Sequence, residues 1–277
     1  MKKTILLGLA AVFSFSVFAQ GLKTPSASTA QTVKQEFGLG SIELSYSRPN
    51  VKGRTVFGDL VPYGAIWRTG ANSATTLTFS DEVIIGDKKI PAGKYGLLSI
   101  PGASEWTIII SKQTDVTSPS AYKQDMDVVR LTVPSATLPF SIESFMISFD
   151  KITSKELEVL IVWEQTAVSF PIKTDIDTKI MSQIDNLMNK DNRPYFNAAM
   201  YYLDNNKDLN QAASWLEKAT EQTPNAYWVW YQKARCLSML GKKAEAKTAS
   251  TKSLELAKAA KNPDYVTLNE KLQASLK

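Results

Sequence analysis

Between Gln31 and about Ile172, apolar and polar residues alternate with a period of two. Thr32–Phe37, Ser41–Tyr46, Thr76–Phe79, Phe145–Phe149 and Glu156–Val162 read as strands, some polar on one face and others apolar on both. Turn-forming clusters lie between them: Gly38-Leu39-Gly40, Gly86-Asp87-Lys88, Pro91-Ala92-Gly93, Pro101-Gly102 and Asp150-Lys151. The segments Glu82–Ile90 and Lys94–Ile100 read as successive hairpins. Nine or ten short strands with no helix between them predict an antiparallel β-sandwich over residues 20–173, not an alternating βαβ sheet.

Near Asp175 the period changes to 3.6. Ile176, Ile180, Ile184, Leu187 and Met188 then share one helical face, which predicts a connecting helix packed along one side. Beyond Pro194 the chain repeats itself at an interval of 34 residues: Phe196 with Trp230, Met200 with Ala234, Leu203 with Leu237, Lys207 with Gly241 and Ala212 with Ala246. That interval, with Ala219 and Pro224 closing the first unit, is the tetratricopeptide period of paired helices. Lys233 and Lys258 depart from the pattern, standing where a small or apolar residue and a proline are usual. Residues 174–277 are therefore expected to form a helical module whose two units lean on flanking helices near Ile180 and Val266. Such a module holds a protein or peptide partner, with Tyr201, Tyr202, Trp228 and Lys233 as the candidate contact residues, or else caps the first domain without a ligand.

The first residues follow a different rule. Lys2 and Lys3 precede the apolar run Ile5–Phe18, and Val17-Phe18-Ala19 supplies a cleavage signature. This predicts a secretory signal peptide at residues 1–19, cleavage before Gln20, and a periplasmic or secreted mature protein. The run is shorter than the roughly 20 apolar residues a membrane-spanning helix needs, so no span is expected after cleavage. The single Cys236 excludes an intramolecular disulfide. With no histidine in the chain, serine–histidine and cysteine–histidine catalysis and histidine-ligated metals are excluded as well. Basic and acidic residues balance at 15 each between Gln20 and Lys173, so there is no basic stripe for nucleic acid.

Within that neutral domain the cations are unevenly placed. The stretch SRPNVKGRTVFGDLVPYGAIWRTGAN, Ser47 to Asn72, holds Arg48, Lys52, Arg54 and Arg68 against Asp59 alone, interleaved with Phe57, Tyr63 and Trp67. Guanidinium groups beside aromatic faces suit an anionic or sugar-like ligand, which makes Arg48, Lys52, Arg54, Tyr63, Trp67, Arg68 and Asn72 the candidate ligand-binding residues. The same residues also suit a purely structural crossover. In that reading Trp67 fills the core and the arginines pair with carboxylates such as Glu43 or cap backbone carbonyls. Paired carboxylates, Glu156 with Glu158 and Asp125 with Asp127, are the only trace of glycosidase-type chemistry, and alternation explains both as solvated faces. No catalytic residue, metal ligand or cofactor site is assigned from the sequence.

The run S-R-P-x-x-K-G-R-x-x-F-G-x-L-V-P-Y-G-x-x-W-R-x-G-A-N, followed by Ile90–Leu97 and by Ile100–Trp106, resembles the bacterial domain of unknown function 2911 family over about residues 26–172. The resemblance implies an exported protein of Bacteroidetes-type bacteria with a tetratricopeptide-like tail, and it carries no chemistry with it. The expected function is that of an exported binding or assembly protein. The alternatives are a carboxylate-dependent hydrolase of envelope glycan and a purely structural envelope protein.

Overall fold

The structure, a computed structural model, describes residues 24–190 and 193–276; the expected signal peptide lies outside the described residues. The chain divides into two compact units, Met1–Asp175 and Ile176–Lys277.

The first unit is a nine-stranded antiparallel sheet: β1 (Thr29–Phe37), β2 (Gly40–Arg48), β3 (Thr76–Phe79), β4 (Val83–Ile85), β5 (Lys88–Ile90), β6 (Gly93–Ile100), β7 (Glu105–Ser111), β8 (Asp127–Asp150) and β9 (Glu156–Lys173). Their spatial order is β1-β2-β3-β6-β7-β8-β9-β4-β5. β4 and β5 do form a hairpin, turned at Gly86 with φ 62°. β6, however, pairs with β3 and β7 and not with β5, so the second expected hairpin is replaced by a jump across the domain.

Two strands are much longer than their hydropathy suggested, β8 with 24 residues and β9 with 18. β8 pairs with β7 up to Pro134 and with β9 from Ser135 onward, and its register against β9 slips twice between Thr137 and Met146. Extra residues on one strand bend it and sharpen its twist, which lets β8 leave one half of the sheet and continue in the other. The sheet thereby folds over a single core. Ile42, Leu44 and Tyr46 from β2, Ile108 and Ile110 from β7, and Leu157, Val159 and Ile161 from β9 all belong to it. Alternation sends Leu98 and Ile109 to the opposite face, where Val116, Ile66 and Tyr122 cover them. The run Ile108-Ile109-Ile110 is apolar throughout because both faces of β7 are covered.

The second unit has six helices among the described residues: α1 (Asp177–Met188), α2 (Tyr195–Asp204), α3 (Leu209–Gln222), α4 (Tyr227–Met239), α5 (Lys243–Ala259) and α6 (Pro263–Ser275). Asp208 caps α3, its Oδ1 accepting from the amides of Asn210 and Gln211, and Asn262 with Pro263 starts α6. The repeat alanines sit where paired helices touch. Ala199 and Ala212 are buried between α2 and α3, and Ala234, Ala246 and Ala249 between α4 and α5. α6 closes the array by packing Leu272 and Leu276 on the second cluster. On α1, Ile176 and Ile184 are buried at its start and centre, while Leu187 stays 41% exposed.

Candidate functional site

The crossover between β2 and β3, residues 49–75, is built to hold a fixed shape. Val51, Val56, Phe57 and Val61 point into the core. Its amides are gripped from β8 and β9: the Val51 amide donates to the Glu143 carbonyl at 2.9 Å, the Lys52 amide to Glu143 Oε1 at 2.9 Å, and the Val56 amide to Glu164 Oε2 at 3.2 Å. Trp67 and Ser99 exchange backbone hydrogen bonds of 2.7 and 2.9 Å, which fastens the loop to β6. Gly58, at φ 93°, leaves room for the Tyr63 ring; a Cβ there would stand 2.8 Å from it. Thr69 adopts φ 52°, unusual for a β-branched residue, and is held there by its Oγ1 contact of 2.9 Å with Ser99 and by the Thr75 hydroxyl on its carbonyl.

These constraints aim Trp67 and Arg68 in fixed directions. Trp67 stacks on Trp163 of β9 at 6.0 Å and meets Phe57, Trp106 and Phe145 edge-on, while its Nε1 donates to the Gly70 carbonyl at 3.0 Å. Beside it lies a cavity of about 510 Å³, within the usual size for a small-molecule site. Lys52, Arg54, Trp67, Arg68 and Trp163 all line it, and among the described residues no carboxylate does.

None of the four cations of this stretch forms an ion pair with a described residue; the described side-chain bonds of the three arginines go to backbone carbonyls. Arg54 donates from Nε to Val51 and from Nη2 to Asn50, at 3.0 and 2.7 Å. Arg68 donates from Nη1 to the Thr117 carbonyl, and its buried Nε finds no acceptor among the described residues. Arg48 leaves the group: its Nε bonds the Phe145 carbonyl at 2.9 Å, and it lines a separate cleft of about 230 Å³ with Gln31 and Phe149. Tyr63 is 49% exposed and lies over Gly58, outside the cavity lining. Asn72 is also outside, but its Nδ2 donates to the Ser28 carbonyl at 2.9 Å and so positions a lining residue. Sequence reasoning missed Trp163, Val116 and Ser28, which reach the cavity only because the sheet folds over and the segment before β1 passes by.

The paired carboxylates lie elsewhere. Glu156 and Glu158 face Lys173 and Lys151 at 3.8 and 2.8 Å. Asp127 binds Arg130 at 2.7 Å and accepts from the Tyr122 hydroxyl at 2.5 Å. Burial first, then that hydrogen bond, pushes the Tyr122 phenol up to about 12. No cluster of three or more potential metal ligands occurs among the described residues.

In the helical unit, Tyr202 packs edge-on against Trp215 at 4.8 Å. Tyr201 donates to Asp177 on α1, with Lys207 Nζ 5.6 Å from its ring centroid. Lys233 pairs with Glu217 and lies 4.9 Å from the Trp230 ring centroid. Trp228 is 42% exposed and shares the open face of α4 with Met239, which is 47% exposed. Cys236 is buried, and burial raises its thiol pKa, so the thiol is unreactive at neutral pH.

A folded-over β-sheet with a cation-lined cavity, followed by paired-helix repeats, defines a two-module protein of the repeat-bearing class. The model of the family described as "Protein of unknown function (DUF2911)" matches residues 28–172, more than half of the chain, and the chain belongs to that family. Tetratricopeptide repeat models match residues 193–225 and 215–248. Neither the curated proteins nor the solved structures contain a significant match. Among the described residues no helix is long and apolar enough to cross a membrane.

Proposed function

We propose that this chain is an exported binding protein, in which the helical repeats hold a protein partner and the sheet domain takes a small anionic ligand in the cavity beside Trp67. The observation that carries the ligand reading is the cavity's composition: Lys52, Arg54 and Arg68 bring three positive charges, and no carboxylate among the described residues lines the cavity to neutralise them. Arg68 is half-buried while Lys52 and Arg54 are exposed; a half-buried guanidinium without a carboxylate partner favours an anion, because the lower local dielectric strengthens the attraction, and the two exposed cations add to its field. What supports the partner reading is the tetratricopeptide match, together with an α4 face on which Trp228 and Met239 are exposed with Tyr231 and Arg235 half-buried between them. What supports export is the leader pattern of residues 1–19.

The hydrolase alternative has no carboxylate pair at this cavity to work with. The test is a thermal-shift screen of small organic and inorganic anions on the wild type and on Arg68→Gln. Stabilisation of the wild type by at least one anion, lost in the folded variant, is the expected outcome. Stabilisation by none, or equally in both, removes the cavity as the binding site.

A further inference from the structure

We infer that the ligand of the Trp67 cavity is an amphiphilic monoanion, a carboxylate carried on an apolar body such as an acyl chain or an aryl ring. This rests on the anion reading above and narrows it to a chemical class.

Sugars are disfavoured by the balance of donors and acceptors. A polyhydroxylated ligand offers many O–H donors, and sites that hold one place carboxylate or amide oxygens to receive them. Here the charged lining groups are donors only, and the one side-chain amide oxygen, that of Asn50, already accepts from the Ser144 hydroxyl at 2.7 Å. Among the described lining side chains that leaves the hydroxyl oxygens of Ser28 and Ser118 as acceptors, too few for a polyhydroxylated body, part of whose hydroxyl hydrogens would go unpaired, a loss that an apolar body does not incur.

Multiply charged anions are disfavoured by the backbone. Phosphate sites recruit several converging amide N–H groups in addition to cations. In the loop that bears Lys52 and Arg54, the amides of Lys52 and Val56 are already bound to the carboxylates of Glu143 and Glu164. Two of the domain's own negative charges thus stand close to the cationic loop. Arg54 and Arg68 have also committed part of their forks to carbonyls, and the edges left over suit one carboxylate better than a dianion.

The rest of the cavity asks for apolar surface. Leu60, Val61, Ile66, Val116, Trp67 and Trp163 line it, and a bare acetate would leave most of about 510 Å³ unfilled. Each methylene added to the ligand and buried against such a wall raises affinity roughly threefold to fourfold.

The experiment is titration calorimetry on the full chain with five probes: acetate, inorganic phosphate, glucuronate, octanol and octanoate. Octanoate is expected to bind at least tenfold more tightly than each of the other four and to weaken as salt is raised. Lys52→Asn, chosen because asparagine accepts the φ of 51° found there, is expected to weaken octanoate several-fold without lowering the melting temperature. If acetate or phosphate binds as tightly as octanoate, the amphiphile is refuted while the anion reading stands. Glucuronate binding equal to octanoate transfers the site to sugar acids and likewise refutes it. Octanol equal to octanoate shows an apolar pocket without charge selection and refutes both readings, as does no binding by any probe.

Discussion

At the scale of single residues, the cation cluster and Tyr122 show two ways of managing charge. Arg54 and Arg68 are fixed by neutral carbonyls and keep their charge available to a ligand. Around Tyr122, charge is consumed internally, since Arg130 Nη1 donates to both the phenol and Asp127 Oδ2 at 2.7 Å. With the folded phenol at about 12 and the unfolded one near 10, the folded state binds the proton more tightly. The stability this contributes is complete below about pH 10 and is lost as the pH rises toward 12. Alkaline denaturation followed by circular dichroism is expected to show a loss of stability in that window that Tyr122→Phe reduces; an unchanged profile in the variant would remove Tyr122 as its source. The clustering of Lys52, Arg54, Trp67 and Arg68 at one cavity was legible in the sequence because the four fall within one short loop. Trp163 was not legible: it lies 96 residues beyond Trp67 in an apolar strand that looks like any other core strand until the sheet folds.

At the scale of elements, local patterning located strands and helices but did not say how far they run. β8 contains Pro134 and Pro139 within one 24-residue strand that changes partner and slips register near them. The 34-residue repeat is carried by pairs such as Phe196 with Trp230, Leu203 with Leu237 and Ala212 with Ala246, and the same interval exposes a deviation. Leu216 and Ala219 of α3 correspond to Ser250 and Ser253 of α5, and all four are buried. The serines serve Asn269 of α6: Ser250 Oγ donates to Asn269 Oδ1 at 2.9 Å, and Asn269 Nδ2 donates to Ser253 Oγ at 2.8 Å. A buried polar set of this kind fixes the register of the closing helix. Asn269→Ala is therefore expected to destabilise the helical unit by about 1–3 kcal/mol in urea unfolding, because it strands a buried hydroxyl. The triple change Ser250→Ala, Ser253→Ala, Asn269→Leu is expected to recover most of that loss. If the triple variant is as unstable as the single one, the serines are not what Asn269 satisfies.

At the scale of the whole molecule, the period of the hydrophobic pattern changes near Asp175 and the chain divides into two units after that residue. Each unit has its own apolar clusters, a large core with a smaller cluster on the opposite face in the sheet and several small ones between helices. Two cores of such different size should unfold at different temperatures, giving two calorimetric transitions, with the later loss or retention of the helical circular-dichroism band telling which transition belongs to which unit. A ligand that binds only the folded sheet domain stabilises that domain alone, by about 2.7 kcal/mol at a hundred times its dissociation constant. Octanoate at saturation should therefore raise the transition of the sheet domain by several degrees and leave the helical band's midpoint in place. Arg68→Gln should remove the shift without moving the helical midpoint, because Arg68 lines only the sheet domain's cavity. A single transition carried upward as a whole would mean that the two units unfold as one body, and ligand in the cavity would then also stabilise the helices.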